Sequence, residues 1–121
     1  MLVDGRFNAK DYSEIEIEFA FDAFVAAVQQ KVAAHFSENF PTLKPSTIEV
    51  QPGRSYWKIV KVDGHNGGQS VYGFVRKADG AILKAASWKA PNVKGPSAIR
   101  GYVMQDNAID SCTPYGIIYA R

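Results

Sequence analysis

A single cysteine, Cys112, and only two histidines, His35 and His65, stand among the 121 residues, and that scarcity removes several classes of protein at once. No internal disulfide can form, and neither a four-cysteine zinc site nor one built from two cysteines and two histidines can be assembled. The apolar stretches are broken by charges well short of the roughly 18 residues that a membrane span needs. The N-terminus shows no secretory apolar region. These absences make a single, reduced, cytoplasmic domain the expectation, with no metal, no cofactor and no membrane partner. What is present is an ordinary globular balance, 46% hydrophobic and 21% charged, in a chain long enough to bury a core of its own.

The net charge of +2 conceals a division along the chain. Residues 1–50 carry four bases against eight acids, giving −4, and residues 51–121 carry ten bases against four acids, giving +6. A division of this kind suits a basic face for an anionic partner, and it equally suits an acidic helix beside a basic sheet.

Residues 1–12 show neither helical nor strand period and read as a loosely attached arm. From Ser13 to Phe19 apolar and acidic residues alternate as in a strand, yet Ser13 followed by Glu16 is also a capping-box pair that opens a helix. Both readings stand at this point. Phe21, Val25, Val28, Val32 and Phe36 then recur at helical spacing among alanines, and Phe40-Pro41 stops the pattern, so a helix is predicted over 21–38. Beyond Pro45 the chain changes to short β-type runs, 48–51, 55–62, 69–77 and 81–85, with 99–104 and 116–120 each a candidate for a further strand. Pro52-Gly53 and Asp79-Gly80 mark turns. The predicted architecture is α+β: one long N-terminal helix packed on an antiparallel meander of four to five strands, with residues 48–120 as the β-rich part.

Catalytic signals are weak. His35 flanks the helical stripe. His65 lies in Asp63-Gly64-His65-Asn66-Gly67-Gly68 near Ser70, but a nucleophile, base and orienting acid normally come from separate elements, not from one hairpin loop. The same glycines lack the lysine and hydroxyl of a phosphate loop and join two strands, not a strand and a helix. Asp106 and Asp110 have no partner with metal-ligand spacing. No catalytic residue is assigned.

The segment that asks for explanation is Lys84-Ala85-Ala86-Ser87-Trp88-Lys89-Ala90-Pro91, continued by Lys94 and Arg100. An aromatic face beside fixed cations suits a nucleobase stacked next to a phosphate. Arg54 and Trp57, on a strand that could neighbour this one, complete a candidate binding set of Arg54, Trp57, Lys84, Ser87, Trp88, Lys89, Lys94 and Arg100. The structural alternative is that Trp88 roofs the sheet while the lysines protect an exposed β edge from aggregation.

At these residues the chain resembles a family of small proteins of tailed bacteriophages and environmental viral sequence. The likeness takes in a helix ending near His35-Phe36 and Asn39-Phe40-Pro41, the run Ile48 to Val50, Gly53-Arg54-Ser55-Tyr56, Ser70-Val71-Tyr72-Gly73-Phe74-Val75, the Ser87-Trp88-Lys89-Ala90-Pro91 core and Arg100-Gly101, and covers about residues 20–104. Val93 and Gly95-Pro96 enlarge the link after the core, and Tyr102-Val103 replaces the family's usual Asn-Ile. The resemblance implies action inside an infected bacterial cell and carries no assigned activity. The leading expectation is a non-enzymatic accessory protein whose basic, tryptophan-bearing surface binds nucleic acid or a host protein. The alternatives are a small enzyme or nucleotide-binding protein using Lys84, Ser87 and Arg100 around a pocket, and a homodimer formed through an edge near Ile117 and Ile118.

Overall fold

Ser13 decides the first ambiguity. Its hydroxyl accepts from the Glu16 backbone N–H at 3.2 Å, and the Glu16 carboxylate accepts from the Ser13 N–H at 2.9 Å. This reciprocal cap satisfies two N–H groups that a helix leaves orphaned, and it opens helix α1 (Glu14–Asn39). The structure, a computed structural model, describes residues 7–95, 98–114 and 116–117. The helix therefore begins at Glu14, not Phe21, and the alternation at 13–19 is helical: Ile17 is buried, whereas Ile15 and Phe19 are each 78% exposed. A strand would have put all three on one face; a turn of 3.6 residues separates them. Ile17, Phe21, Phe24, Val28 and Val32 form the buried stripe, with Val25 and Phe36 packed at its margins. Phe24 is thus in the stripe that the spacing assigned to Val25. Pro41 then follows Phe40, whose N–H closes the last turn on the Phe36 carbonyl at 2.7 Å.

The sheet is an antiparallel meander in the order β1 (Thr47–Pro52), β2 (Tyr56–Val62), β3 (Gln69–Arg76), β4 (Ala81–Leu83) and β5 (Ile99–Tyr102). Its turns use the residues that turn geometry requires. Between β2 and β3 the Asp63 carboxylate accepts from the backbone N–H groups of His65 and Asn66, which hold its pKa below the ordinary aspartate value, and Gly67 sits at φ +73°. The glycine-rich loop is therefore a hairpin turn. Residues 1–6 lie outside the described residues, and within the rest of the expected arm a short 3-10 turn (Ala9–Asp11) precedes Tyr12, with the Phe7 ring 4.8 Å from that of Tyr102. Of the candidate strand at 116–120, residues 118–120 lie outside the described residues, and Ile117 forms an isolated bridge with Cys112.

Each sheet face carries a core. Under α1 lie Ile59, Tyr72, Val75 and Ile82, joined by Val103, Cys112 and Ile117; on the opposite face Phe74, Leu83 and Ala98 cluster with Tyr56, Val71 and Ala85. Two register steps shape these faces. Ile59 pairs with Gly73 while Val60 pairs with Val71, so Tyr72 is an extra residue; likewise Ile82 pairs with Gly101 while Leu83 pairs with Ile99, so Arg100 is extra on the edge strand β5. Bulges of this kind re-aim a side chain and are common beside functional sites.

At the β3–β4 turn Gly80 takes φ +74° and Asp79 receives two bonds from Arg76, at 3.0 and 2.8 Å, plus the Ala81 N–H at 3.0 Å. Burial raises the Asp79 pKa, but the bonds from Arg76 and Ala81 prevail and hold it below the ordinary value. A depressed native pKa stabilises the fold fully above the unfolded aspartate value of about 3.9 and loses that contribution as pH falls through the native one. Asp79→Asn is expected to cost about 1 kcal/mol at pH 7 and much less near pH 2, measured by urea unfolding at both values. A penalty that does not shrink at low pH would refute the ionic part of this account.

Candidate nucleic-acid interface

After β4 the chain doubles back on itself. The Asn92 N–H donates to the Lys84 carbonyl at 2.7 Å, the Ala86 and Ser87 N–H groups share the Ala90 carbonyl, and Ala85 bridges Pro91. Residues 85–91 thus form a tight projecting loop with Ser87, Trp88 and Lys89 at its tip, where the Ser87 hydroxyl accepts from the Lys89 N–H at 3.2 Å. Trp88 remains 41% exposed. It does not roof the sheet as a buried residue. The Lys58 ammonium, projecting from β2, stands 3.9 Å from the Trp88 ring centroid. A cation at that distance is worth about 0.5–1 kcal/mol at an exposed site and occupies one face of the ring.

Two hollows flank this loop. One, of about 310 Å3, lies against the β1–β2 turn and is lined by Arg54, Tyr56, Lys58, Phe74 and Lys89 among others. The second, of about 510 Å3, is lined by Lys84, Ala85, Ala86, Pro91, Asn92, Val93, Lys94 and Arg100. Each therefore carries three cations, and no carboxylate among the described residues lines either. Lys84 also donates to the Ile117 carbonyl at 3.3 Å, which ties its stem to the segment after the second 3-10 turn (Ala108–Ser111). The bulge residue Arg100 is distinctive: its Nε and Nη1 are withdrawn from solvent and meet no acceptor among the described residues. A buried donor without a partner costs about 1–3 kcal/mol, and more when charged, so this guanidinium is poised for an anionic acceptor.

The residues singled out in the sequence are distributed as follows. Arg54 and Lys89 line the smaller hollow, against Phe74 on the sheet face away from α1, Lys84, Lys94 and Arg100 line the larger one, and Trp88 stands on the loop with Lys58 over its ring. Trp57 lies apart from them: its ring stacks on Phe21 at 4.1 Å beneath α1, and it lines a separate hollow of about 700 Å3 in which Glu14 and Glu18 meet Arg54, Arg76 and Lys77, so Arg54 borders this hollow as well as the smaller basic one. Strand parity is the reason, since Trp57 and Lys58 are adjacent and must point to opposite faces. Ser87 stands at the loop tip and lines neither basic hollow. Lys58, Tyr56 and Phe74 complete the smaller hollow. Parity counted from Tyr56 through the register pair Lys58 with Phe74 would have grouped them.

His35 is engaged by Asn39, whose Nδ2 lies 3.2 Å from His35 Nδ1, and His65 is exposed on its turn. Burial, with the neighbouring Cys112, pushes the Tyr72 phenol far up, and its hydroxyl donates to the Thr113 carbonyl. Among the described residues no group of three His, Cys, Asp or Glu could hold a metal ion, and no helix is long and apolar enough to cross a membrane.

The fold is that of an α+β domain, one long helix on a five-stranded antiparallel meander, with two cation-lined hollows and an exposed tryptophan on the loop after β4. Residues 5–114 match the family of unknown function DUF7717, and the chain belongs to that family. No curated protein and no solved structure matches the chain.

Proposed function

We propose that the protein is a non-enzymatic binding protein whose Trp88 loop and the cations of the two hollows beside it take single-stranded nucleic acid. The observation that carries this reading is the exposed Trp88 set between two hollows with no carboxylate among their described residues, with Arg54, Lys58 and Lys89 on one side and Lys84, Lys94 and Arg100 on the other. Stacking on an aromatic ring, worth about 1–3 kcal/mol per base, supplies sequence-tolerant affinity, and cations on both sides follow the backbone of a strand that crosses the loop. Duplex DNA fits less well, because its bases are already stacked and offer no face to Trp88. The SWKAP-bearing pattern supports a place among phage accessory proteins working in the cytoplasm of an infected bacterium.

Titration with a thymidine oligonucleotide tests the reading. Binding is expected to quench Trp88 fluorescence, to weaken about tenfold in Trp88→Ala, and to fall with salt at a slope of up to about −4 on a log–log plot if all six cations neutralise phosphates. No quenching together with no salt-sensitive binding would dispose of nucleic acid as the partner.

A further inference from the structure

The two hollows are alike in charge and unlike in construction. The smaller one is walled by strand and turn and presents its cations from flexible lysine and arginine stems. The larger one contains Arg100, the one bulge residue of β5, with two guanidinium nitrogens out of solvent and, among the described residues, unpartnered. Its wall is fixed by backbone bonding: Asn92 is tied to Lys84 at 2.7 Å, and the Asn92 side chain accepts from the Lys94 N–H at 3.1 Å. Pro91 and Val93 give it an apolar side, and Val93 is 54% exposed. From these features we infer that the larger hollow is a site for a terminal phosphate monoester, seating the phosphorylated end nucleotide of a strand whose neighbouring base stacks on Trp88.

Charge and size separate this from an ordinary backbone contact. An internal phosphodiester carries one negative charge and is served by one or two exposed lysines. A monoester carries about −1.5 to −2 near neutral pH and three strong acceptor oxygens, which suits a hollow lined by three cations and, among the described residues, by no carboxylate. Arginine is the cation suited to such a group, because its planar donors can engage more than one phosphate oxygen at once. A volume of about 510 Å3 exceeds what phosphate alone requires and leaves room for a sugar against Pro91 and Val93. The bulge explains how an edge strand delivers Arg100 there: without the extra residue the side chains of β5 would alternate regularly against β4.

This inference rests on the reading of the face as a nucleic-acid surface, and the experiment separates the two. Three ten-nucleotide thymidine strands are compared, bearing a 5′-phosphate, a 3′-phosphate or neither, with thymidine 5′- and 3′-monophosphates as competitors. One phosphorylated end is expected to bind about tenfold tighter than the unphosphorylated strand. Arg100→Lys should abolish most of that advantage, and Lys94→Ala, at an exposed position that folding does not need, should reduce it several-fold. Arg100 and Lys94 also contribute to binding of the unphosphorylated strand, so the readout is the ratio of the affinities for the phosphorylated and the unphosphorylated strand, which should fall in both variants by more than the affinity for the unphosphorylated strand does. Equal affinity for all three strands overturns the end-phosphate site and leaves the strand-binding surface standing. Binding of a monophosphate that depends on Arg100, without binding of any strand, keeps the phosphate site and overturns the surface. Absence of all binding overturns both.

Discussion

Phe21→Ala is expected to lower the unfolding free energy by about 3–5 kcal/mol, a large share of the roughly 5–15 kcal/mol that holds a domain of this kind together. Phe21 is 3% exposed and its ring lies 4.1 Å from Trp57 at an interplanar angle of 11°, so truncation removes both the buried ring and the floor on which Trp57 rests. The cavity would open toward the hollow at the helix N-terminus, where water can enter, and Trp57 emission should shift to the red in the folded state. Urea unfolding followed by circular dichroism measures the stability, and a Trp88→Phe background isolates the Trp57 signal. Phe19→Ala on the same helix provides the contrast: at 78% exposure it should change stability by no more than about 0.5 kcal/mol. A cost below about 1 kcal/mol for Phe21→Ala would mean that α1 does not dock on the sheet through this ring.

That contrast also shows where sequence patterns suffice. The C-terminal two-thirds of α1 were legible because alanine-rich helical spacing and Phe40-Pro41 agree. Strands β1 to β3 were legible because β-branched runs are punctuated by Pro52-Gly53 and the Asp63 loop. At 13–19 two local signals compete, and the capping box wins because it satisfies backbone groups that alternation alone leaves open. The site was legible only as a composition. Loop 84–95, with its lysines and tryptophan, drew attention, but the pairing of Lys58 with Trp88 and the exile of Trp57 to the opposite face depend on strand parity. Bulges are harder still: Tyr72 and Arg100 become extra residues only once the partner strand's register is known, and no local motif marks them. Gly101, at φ +155°, follows the second bulge and is the nearest thing to a signature in the chain.

Reversing the charge of Lys58 and Lys89 together, Lys58→Glu with Lys89→Glu, is expected to weaken single-stranded DNA binding by about 100-fold near physiological salt, the largest functional effect foreseen for this surface. Both side chains line the smaller hollow, and Lys58 also holds its ammonium 3.9 Å from the Trp88 ring. The double variant therefore removes two phosphate-neutralising charges, puts two carboxylates in their place and takes the cation off the stacking ring. Because ion release scales with the phosphates neutralised, the log–log salt slope should become shallower by about 1.4. Trp88→Ala separates the two contributions, since loss of stacking lowers affinity at every salt concentration and leaves the slope unchanged. A control with the same change in net charge is available at Lys10 and Lys44, exposed residues that line neither basic hollow. If Lys10→Glu with Lys44→Glu weakens binding as much as the Lys58 and Lys89 pair, the attraction comes from overall charge and not from this face. If only the Lys58 and Lys89 pair does so, the +6 of residues 51–121 acts locally, where the sheet gathers it around Trp88.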